Sequence, residues 1–393
     1  MEVTDVTVIG AGLIGSAAAR HMAEAGVAVT LIGAVKGNPT GIHASHYDEA
    51  RITRQIGTDP IWSDLARDAM NRYGAIEANS GIRFHLPCGH LRCDLPVEHP
   101  ESELDLVRAV CRRHLLKNVE LSYEDIARRL PKFAFQADGV FHWEPEPAGI
   151  INPRRLIRAQ ISLARRAAAK LIHGVVVRVE KRGTTFAVRI SGGYTQFSKK
   201  VLVAAGSYTN KFDLTPEKLA LEIRPETVVL MEANEDLSSS LAEMPSIIWR
   251  LDHVLDVTGV YVLPPVAYPD GRVYVKVGAD YDRDVSVGTV GKMDAYMTSS
   301  GSARTRELLV PVLQSLIPRL AGAHVVTKPC LLTYTPGGFP MVDEVATGWF
   351  VAVGGCGKSA KSSDQIGKLA SDMIQGEKWT GYSRATFQAT RMH

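Results

Sequence analysis

The sequence predicts a mixed fold in which an α/β unit of alternating strands and helices is combined with a strand-rich second part. Two observations predict the α/β unit: a strand–glycine turn–helix–strand pattern near the start of the chain, and a strand–glycine turn–helix pattern near its end. Strand-like runs dominate residues 222–328, where one helical pattern over residues 305–316 interrupts them. At 393 residues, the chain is long enough for two or three domains with their own cores.

The first glycine pattern occupies residues 4–33. A short apolar run leads into Gly-Ala-Gly-Leu-Ile-Gly at residues 10–15, and a helical pattern and a second apolar run follow. Gly10 permits a tight turn, Gly12 lets the backbone approach a pyrophosphate, and Gly15 lets the helix pack closely on the strand. The free N–H groups at the start of the helix would face the phosphates. This context predicts a dinucleotide-binding βαβ unit.

One part of the dinucleotide pattern is missing. An acidic residue is expected at the end of the second strand, where it binds a ribose hydroxyl, but this position is Gly33. Lys36 follows three residues later and offers two interpretations, a partner for a ribose phosphate, which would indicate NADP, or a solvated surface lysine. The N-terminal pattern by itself therefore leaves the identity of the dinucleotide open.

The composition narrows the class of protein. The chain is 45% hydrophobic and 22% charged, which is typical of globular proteins, and its net charge of +3 is too small for a dedicated nucleic-acid binder. No apolar run approaches the length of a membrane span. Five cysteines without a leader pattern favour a reducing, cytoplasmic location. Cys88 and Cys93 lack zinc-ribbon spacing, and no metal site is predicted.

Two helix starts carry clear capping signals. Asp59-Pro60 and Asn152-Pro153 each place an N-cap side chain before a proline at the first helical position. The second of these helices is predicted to run to about Lys170, and its arginines form a solvated face because no aromatic residues alternate with them as in a nucleic-acid surface. The polar stretch 41–54 is either a functional loop or a solvated linker.

A second glycine turn follows the last apolar strand, at residues 349–353. Residues 354–361 are Gly-Gly-Cys-Gly-Lys-Ser-Ala-Lys, and a helical pattern continues to about residue 374. This arrangement places another helix N-terminus, with Lys358 and Lys361, at the carboxyl edge of the predicted sheet.

Together these features resemble the flavin amine oxidases of the D-amino-acid oxidase superfamily, most of all the branch of monomeric sarcosine oxidase and N-methyltryptophan oxidase. The resemblance covers nearly the whole chain and is dense at both glycine turns and at residues 44–55 and 330–343. It implies an α/β plus α+β fold with a discontinuous, Rossmann-like FAD-binding domain and a substrate domain built on an antiparallel sheet. The implied FAD-binding domain comprises residues 1–80, 149–215 and 329–393, and the implied substrate domain comprises residues 81–148 and 216–328.

The resemblance also implies roles for individual residues. Cys330, in a Cys-x-x-Thr-x-Thr-Pro frame, matches the cysteine that forms a thioether to the flavin ring, although the family's tyrosine two positions later is Leu332 here. A buried structural thiol is the alternative for Cys330. Lys276 matches the lysine that sits near flavin N5 and activates oxygen, and Tyr261 matches a substrate-site tyrosine.

The remaining matches concern the substrate carboxylate and the cofactor. Arg54 and Lys361 match the pair that binds the carboxylate, and Val179 matches a position whose backbone meets the adenine. His46 and Arg51 match a loop that lines one face of the flavin. The implied catalytic residues are Lys276, Tyr261, Arg51 and His46. The implied cofactor-binding residues are Gly10, Gly12, Leu13, Ile14, Gly15, Gly33, Ser45, Val179, Gly206, Cys330, Gly357, Lys358 and Lys361.

The resemblance and the residue types together predict an FAD-dependent oxidase. A planar guanidinium and an ammonium orient a carboxylate, so the expected substrate is a secondary, N-methyl or cyclic amine that carries one. Hydride would pass to flavin N5, and O2 would be reduced to H2O2. The alternatives are an FAD dehydrogenase that passes electrons to a carrier, a non-catalytic dinucleotide-binding protein, and an NADP-linked reductase. The expected partners are the small amine or amino acid and O2, without nucleic acid or membrane, and the chain is a monomer or a homodimer.

Overall fold

The computed structural model describes residues 3–34, 42–100, 102–116, 120–254, 257–279 and 287–392, and in these residues two eight-stranded β-sheets and one three-stranded sheet form the framework. The strands are β1 (Val3–Ile9), β2 (Val29–Gly33), β3 (Arg51–Thr53), β4 (His85–Leu86), β5 (His90–Asp94), β6 (Glu120–Leu121), β7 (Val140–Glu144), β8 (Gly149–Ile151), β9 (Lys170–His173), β10 (Val176–Arg182), β11 (Thr185–Ile190), β12 (Thr195–Val203), β13 (Glu222–Glu232), β14 (Ser246–Val254), β15 (Val257–Ala267), β16 (Val273–Ala279), β17 (Val325–Tyr334), β18 (Met341–Ala346) and β19 (Trp349–Val353). The α-helices are α1 (Leu13–Glu24), α2 (Pro60–Ser80), α3 (Leu104–Arg113), α4 (Tyr123–Arg129), α5 (Pro153–Arg166), α6 (Glu235–Ser240), α7 (Val290–Thr298), α8 (Ala303–Leu316) and α9 (Ser363–Gln375).

The first sheet confirms the predicted α/β unit. Strands β9, β2, β1 and β12 lie side by side in parallel, and β19 continues the parallel pairing beyond β12. Strands β10, β11 and β18 add antiparallel pairs at the ends. Helix α1 packs against α5 and α9 over this sheet. Both β2 and β19 are buried along their whole length, as expected for parallel strands covered on both faces.

The predicted helix caps at Asp59 and Asn152 are present. A carboxylate oxygen of Asp59 accepts a hydrogen bond from the Trp62 N–H at 2.9 Å, and α2 ends at Gly81, whose φ is 71°. Helix α5 is shorter than expected, because the chain turns at Ala168, where φ is 67°, and then enters β9. Lys170, the predicted end of the helix, is therefore the first residue of a strand at the edge of the first sheet, paired with β2.

The second sheet has the order β17-β13-β16-β15-β14-β5-β7-β6, and every neighbouring pair is antiparallel except β14 with β5. One face packs in an apolar core with α8. Because side chains alternate along a strand, the opposite face carries polar residues, among them His90, Ser246 and Lys276. This polar face contacts the segment around β3, since Nζ of Lys276 binds Asp48.

The domain boundary predicted at residue 329 falls inside a strand. Strand β17 pairs with β13 along its length, from Tyr334 opposite Glu222 to Val325 opposite Met231. The strand that carries Cys330 therefore belongs to the second sheet, although the flanking β18 and β19 belong to the first. None of the described helices combines the length and apolar character needed to cross a membrane.

A buried carboxylate at the start of α9 ties together four helices. Asp364 is fully buried and accepts hydrogen bonds from Nη2 of Arg20 at 2.9 Å, Nε2 of Gln160 at 2.8 Å and Nε of Arg72 at 2.6 Å. Nε2 of His21 lies 3.3 Å away. Burial by itself raises the pKa of Asp364, but His21, Arg72 and Arg20 together hold it well below the ordinary value.

We expect Asp364→Ala to lower the free energy of unfolding by about 3–5 kcal/mol, because it leaves buried cations without their counter-ion. The folded-state pKa is depressed, so the contribution is present above the ordinary carboxyl pKa of about 3.9 and is lost as the pH falls below it. Urea unfolding followed by circular dichroism at neutral and acidic pH measures both effects. Asp372→Ala is the matched control, since its partner is the neighbouring Lys368 on the same helix; an equal loss in both variants would contradict the assignment.

Candidate active site

A cavity lies at the carboxyl ends of the parallel strands of the first sheet, where ligands bind in open α/β sheets. Its walls come from the turn after β1, the end of β2, residues 42–47, the turn after β12, β17 and the turn after β19. The predicted site residues that line it are Gly10, Gly12, Leu13, Ile14, Gly33, Ser45, His46, Arg51, Gly206, Cys330 and Gly357. The predicted site residues outside this lining are Gly15, Arg54, Val179, Tyr261, Lys276, Lys358 and Lys361.

The first glycine turn opens the N-terminus of α1 toward this cavity. Gly10 has a φ of 111°, which favours glycine, and a Cβ at Gly15 would collide with the Gly10 carbonyl. A Cβ at Gly12 would meet no atom within 4 Å, and no side chain caps α1. The first N–H groups of the helix are therefore available to an anion, and these residues fit the pyrophosphate of a dinucleotide.

The end of β2 offers no carboxylate to a ribose. Gly33 lines the cavity, and a side chain at this position would collide with the Cβ and the backbone nitrogen of Ala11. This close approach gives a steric reason for the absence of the expected acid. Lys36, which the NADP interpretation invoked, lies outside the described residues.

The sequence analysis expected Val179 to lie near the adenine. In this part of the chain, residues 174–176 line the cavity and Val179 does not. Val179 is buried among the apolar residues of β10 to β12, and its N–H donates to the carbonyl of Asp213 at 2.8 Å. In the hairpin of β10 and β11, Val179 therefore packs in the apolar core and does not line the cavity.

Cys330 lies in the wall that the second sheet contributes. Its Sγ is buried, 3.9 Å from Nη2 of Arg51 and 3.9 Å from the carbonyl of Ser45. The Ser45 hydroxyl donates to the carbonyl of Leu331 at 2.7 Å, which fixes the loop beside this strand. The thiol is therefore held at the cavity between a guanidinium and a backbone segment.

A buried carboxylate that the sequence analysis missed, that of Asp48, pairs with Arg51 of the same cavity wall. Asp48 is 5% exposed and accepts hydrogen bonds from Nζ of Lys276 at 2.7 Å and from the Tyr268 hydroxyl at 2.8 Å, and it forms an ion pair with Arg51. Nζ of Lys276 also donates to the carbonyl of Ala50 at 2.5 Å. Burial and the charge of Arg51 lower the pKa of Lys276. The adjacent carboxylate opposes this shift by favouring the ammonium.

Tyr261 lies next to Lys276 on the polar face of the second sheet. The centre of its ring is 6.0 Å from Nζ. Its cross-strand partner is Gly278, and a Cβ there would collide with the Tyr261 ring and hydroxyl. The glycine therefore gives the tyrosine room to lie across β16.

His46 lines the cavity as a neutral imidazole. Burial, with the charges of Arg154 and Arg51, lowers the pKa of His46 to about 3. The ring therefore does not act as a proton donor near neutral pH.

Two basic side chains, Arg54 and Lys361, lie outside the cavity lining, close to Arg51 and Ala360, which belong to it. Burial and the charge of Arg92 lower the pKa of Arg54 to about 10, so its guanidinium remains charged at neutral pH. Burial and the charges of Arg54 and Lys358 lower the pKa of Lys361 well below its ordinary value. Nζ of Lys361 donates to the Lys358 carbonyl at 3.2 Å, and within the described part of the chain neither head group forms a salt bridge.

Glu144, a second residue that the sequence analysis missed, fixes the backbone that follows Arg54. Its carboxylate is 2% exposed and accepts hydrogen bonds from the N–H groups of Gln55 at 2.9 Å and Ile56 at 2.8 Å. Burial raises the pKa of Glu144, while these two N–H groups and Arg54 oppose that shift. The residue lies on β7 in a proline-rich stretch, and nothing in the local pattern indicates its contact with the other part of the chain.

His90 brings a neutral ring to the same region. It is fully buried, and Nδ1 is 2.9 Å from the Ser246 hydroxyl oxygen, while Nε2 has no hydrogen-bond partner among the described residues. Burial and the charges of Arg54 and Arg92 lower the pKa of His90 well below its ordinary value. The charged guanidinium of Arg54 and the neutral imidazole of His90 therefore lie close together.

Comparison with known protein sequences agrees with this geometry. Residues 5–373 match the model of the family described as FAD dependent oxidoreductase. The chain is 24% identical over 386 residues to a putative sarcosine oxidase of Caenorhabditis elegans, covering 96% of this chain and 94% of the relative. It is 23% identical over 381 residues to the monomeric sarcosine oxidase of an Arthrobacter strain, covering 94% and 92%.

Comparison with solved structures shows the same fold. NikD, described as an unusual amino acid oxidase essential for nikkomycin biosynthesis, superposes with a TM-score of 0.79 at 22% sequence identity. The superposition covers 100% of this chain and 98% of NikD, so the two-sheet architecture is shared from end to end.

We expect Glu144→Ala to free the segment after Arg54, because two backbone N–H groups lose their acceptor. Hydrogen–deuterium exchange should become faster at the amides of residues 55 and 56, and stability should fall by about 1–3 kcal/mol. Glu146→Ala, an exposed position on the same connection, is the matched control. Unchanged exchange in Glu144→Ala would contradict the positioning role.

Proposed function

The chain belongs to the family of FAD-dependent oxidoreductases, and from this premise we propose that it is an oxidase acting on the C–N bond of a small amine or amino acid that carries a carboxylate. The observation that carries the proposal is the pair of basic side chains, the partly buried Arg54 and the buried Lys361, close to a cavity lined by the dinucleotide turn. Secondary, N-methyl and cyclic amino acids all present the required carboxylate and amine. The sarcosine oxidases among the relatives are named for an N-methyl amino acid, which supports this class.

Arg54 and Lys361 would anchor the substrate. A guanidinium binds a carboxylate through two parallel N–H groups, and an ammonium adds a third contact. A bound carboxylate would offset both positive charges and would favour the protonated form of Lys361, whose pKa is lowered in its absence. Anchoring one end of a small amine in this way fixes the position of the carbon beside its nitrogen.

The cofactor would occupy the cavity along its length. The N-terminus of α1 and the turn at Gly10 and Gly12 would hold the pyrophosphate. Cys330 would hold the ring through a thioether, whose C–S bond would replace the S–H bond of the thiol and one C–H bond of a ring methyl group, with the two electrons and two protons passing to O2 as H2O2. When bound, FAD supplies the hydride acceptor, and its two electrons leave with two protons to O2 as H2O2.

The remaining residues would act around the reacting atoms. Lys276 would offset the negative charge that builds up on oxygen, and Tyr261 would border the substrate. Neutral His46 and charged Arg51 would line one face of the cofactor. Because His46 stays neutral, the positive charge on that side of the cavity comes from Arg51.

The thioether is tested by denaturation. We expect the wild-type protein to keep its yellow chromophore after acid precipitation, and Cys330→Ala to release it into the supernatant. Cys111→Ala is the matched control, because that thiol is buried in a separate cluster with Ile56 and Val107. Release of the flavin from the wild-type protein would contradict covalent attachment and leave the rest of the proposal standing.

The substrate class is tested by anaerobic bleaching of the flavin absorbance. A panel of carboxylate-bearing amines is compared with the matching amines that lack the carboxylate, and air is then admitted for a peroxide assay. For the active compound, we expect Arg54→Met to lower kcat/KM on the order of 10²-fold, because a buried carboxylate loses its bidentate partner. The same change should matter little for the amine without the carboxylate.

Arg155→Met, which alters an exposed arginine on α5, is the control for this experiment. Equal losses for both kinds of amine would contradict the anchoring role of Arg54. Bleaching without peroxide, with rapid reduction of an added dye, would identify a dehydrogenase. A purified protein without flavin absorbance would refute the proposed function.

A further inference from the structure

The strongest unassigned residue is Asp48, which forms a charge cluster with Lys276 and with Arg51, a residue of the cavity lining. Lys276 is 1% exposed, and the Asp48 carboxylate touches both cations. Asp48 is further held by the Tyr268 hydroxyl at 2.8 Å and by the N–H of Glu49 at 2.8 Å. Four groups therefore bind the Asp48 carboxylate, and together they fix its position.

The cluster contains two positive charges and one negative charge. Two of the three N–H groups of the Lys276 ammonium are taken, one by Asp48 and one by the Ala50 carbonyl. In the described part of the chain, the third N–H has no acceptor. The three side chains together carry one net positive charge when Lys276 is protonated. The other charged or titratable groups that act on Lys276 are Glu49 on the same loop, Lys328 and Cys330 on β17, and Tyr261 on β15. None of these groups replaces Asp48, which lies within hydrogen-bond distance.

We propose that Asp48 is the counter-ion that keeps Lys276 protonated and holds it behind Arg51, which lines the cavity, and that Asp48 thereby controls how fast the reduced cofactor reacts with oxygen. The second half of this statement rests on the proposed function. Asp48 is a positioning residue, since it acts through Lys276 and through Arg51.

Removal of the carboxylate has an unequal effect on the two cations. In Asp48→Asn, the buried Lys276 and the partly buried Arg51 would lose the carboxylate that pairs with both of them. A guanidinium does not lose its proton in a protein, whereas a buried lysine does. Lys276 would therefore become neutral near neutral pH. The cluster would then lack the same positive charge that Lys276→Met removes.

The first arm of the test uses no substrate. The flavin of the holoenzyme is reduced with light and mixed with O2 at several pH values. Lys276→Met should slow reoxidation at least ten-fold at every pH. Asp48→Asn should slow it at least ten-fold at pH 8 and should recover toward the wild-type rate as the pH falls and Lys276 regains its proton. Asp270→Asn, at an exposed turn, is the matched control. A wild-type rate in Asp48→Asn, or a loss that does not recover at low pH, would overturn the proposal.

The second arm measures protonation without turnover. In Asp48→Asn, the folded-state pKa of Lys276 would fall further below its unfolded value than in the wild type. The free energy of unfolding of Asp48→Asn relative to Asp48→Asn/Lys276→Met should therefore rise more with pH than that of the wild type relative to Lys276→Met. Absence of this pH-dependent difference would show that Asp48 does not set the charge of Lys276. If the wild-type flavin reacts slowly with O2, the oxidase function fails, and the unfolding arm alone decides whether Asp48 is the counter-ion.

Discussion

Two buried carboxylates fix the segment of residues 48–56 to the second sheet, and the geometry of the candidate site depends on them. Asp48 binds Lys276 on β16, and Glu144 on β7 binds the N–H groups of residues 55 and 56. Arg51 and Arg54 lie between these two attachments. The carboxylates therefore place two cations at the junction of the sheets, where neither sheet alone could hold them.

Charge balance gives this junction its chemical character. Each buried carboxylate is already saturated, Asp48 by two cations and a hydroxyl, and Glu144 by backbone N–H groups. Among the described residues, Arg54 and Lys361 form no salt bridge, although the more distant carboxylate of Glu144 acts on both. Buried charges of one sign are costly unless an opposite charge joins them. A bound substrate carboxylate, as proposed above, would supply that opposite charge.

The sequence predicted some parts of the site better than others. The turn at Gly10 and Gly12 followed from the local pattern, because a glycine turn between a strand and a helix has a conformational requirement that shows in consecutive residues. Asp48 and Glu144 were missed, since an acid in a polar loop and an acid near prolines carry no such requirement. Their partners lie 228 and 88 or 89 residues away along the chain, and only the fold brings them together.

By itself the sequence determined the α/β unit, the caps at Asp59 and Asn152, and the opening of α1 toward a cavity, because these depend on turns, hydrophobic periodicity and neighbouring residues. The tertiary structure decided that β17, with Cys330, pairs with the second sheet, and that the chain after α5 becomes β9. Strand pairing is satisfied by partners from anywhere in the chain, so local pattern does not specify it. The local pattern does not specify the charge state of the site either, because burial and counter-ions from distant parts of the chain set it.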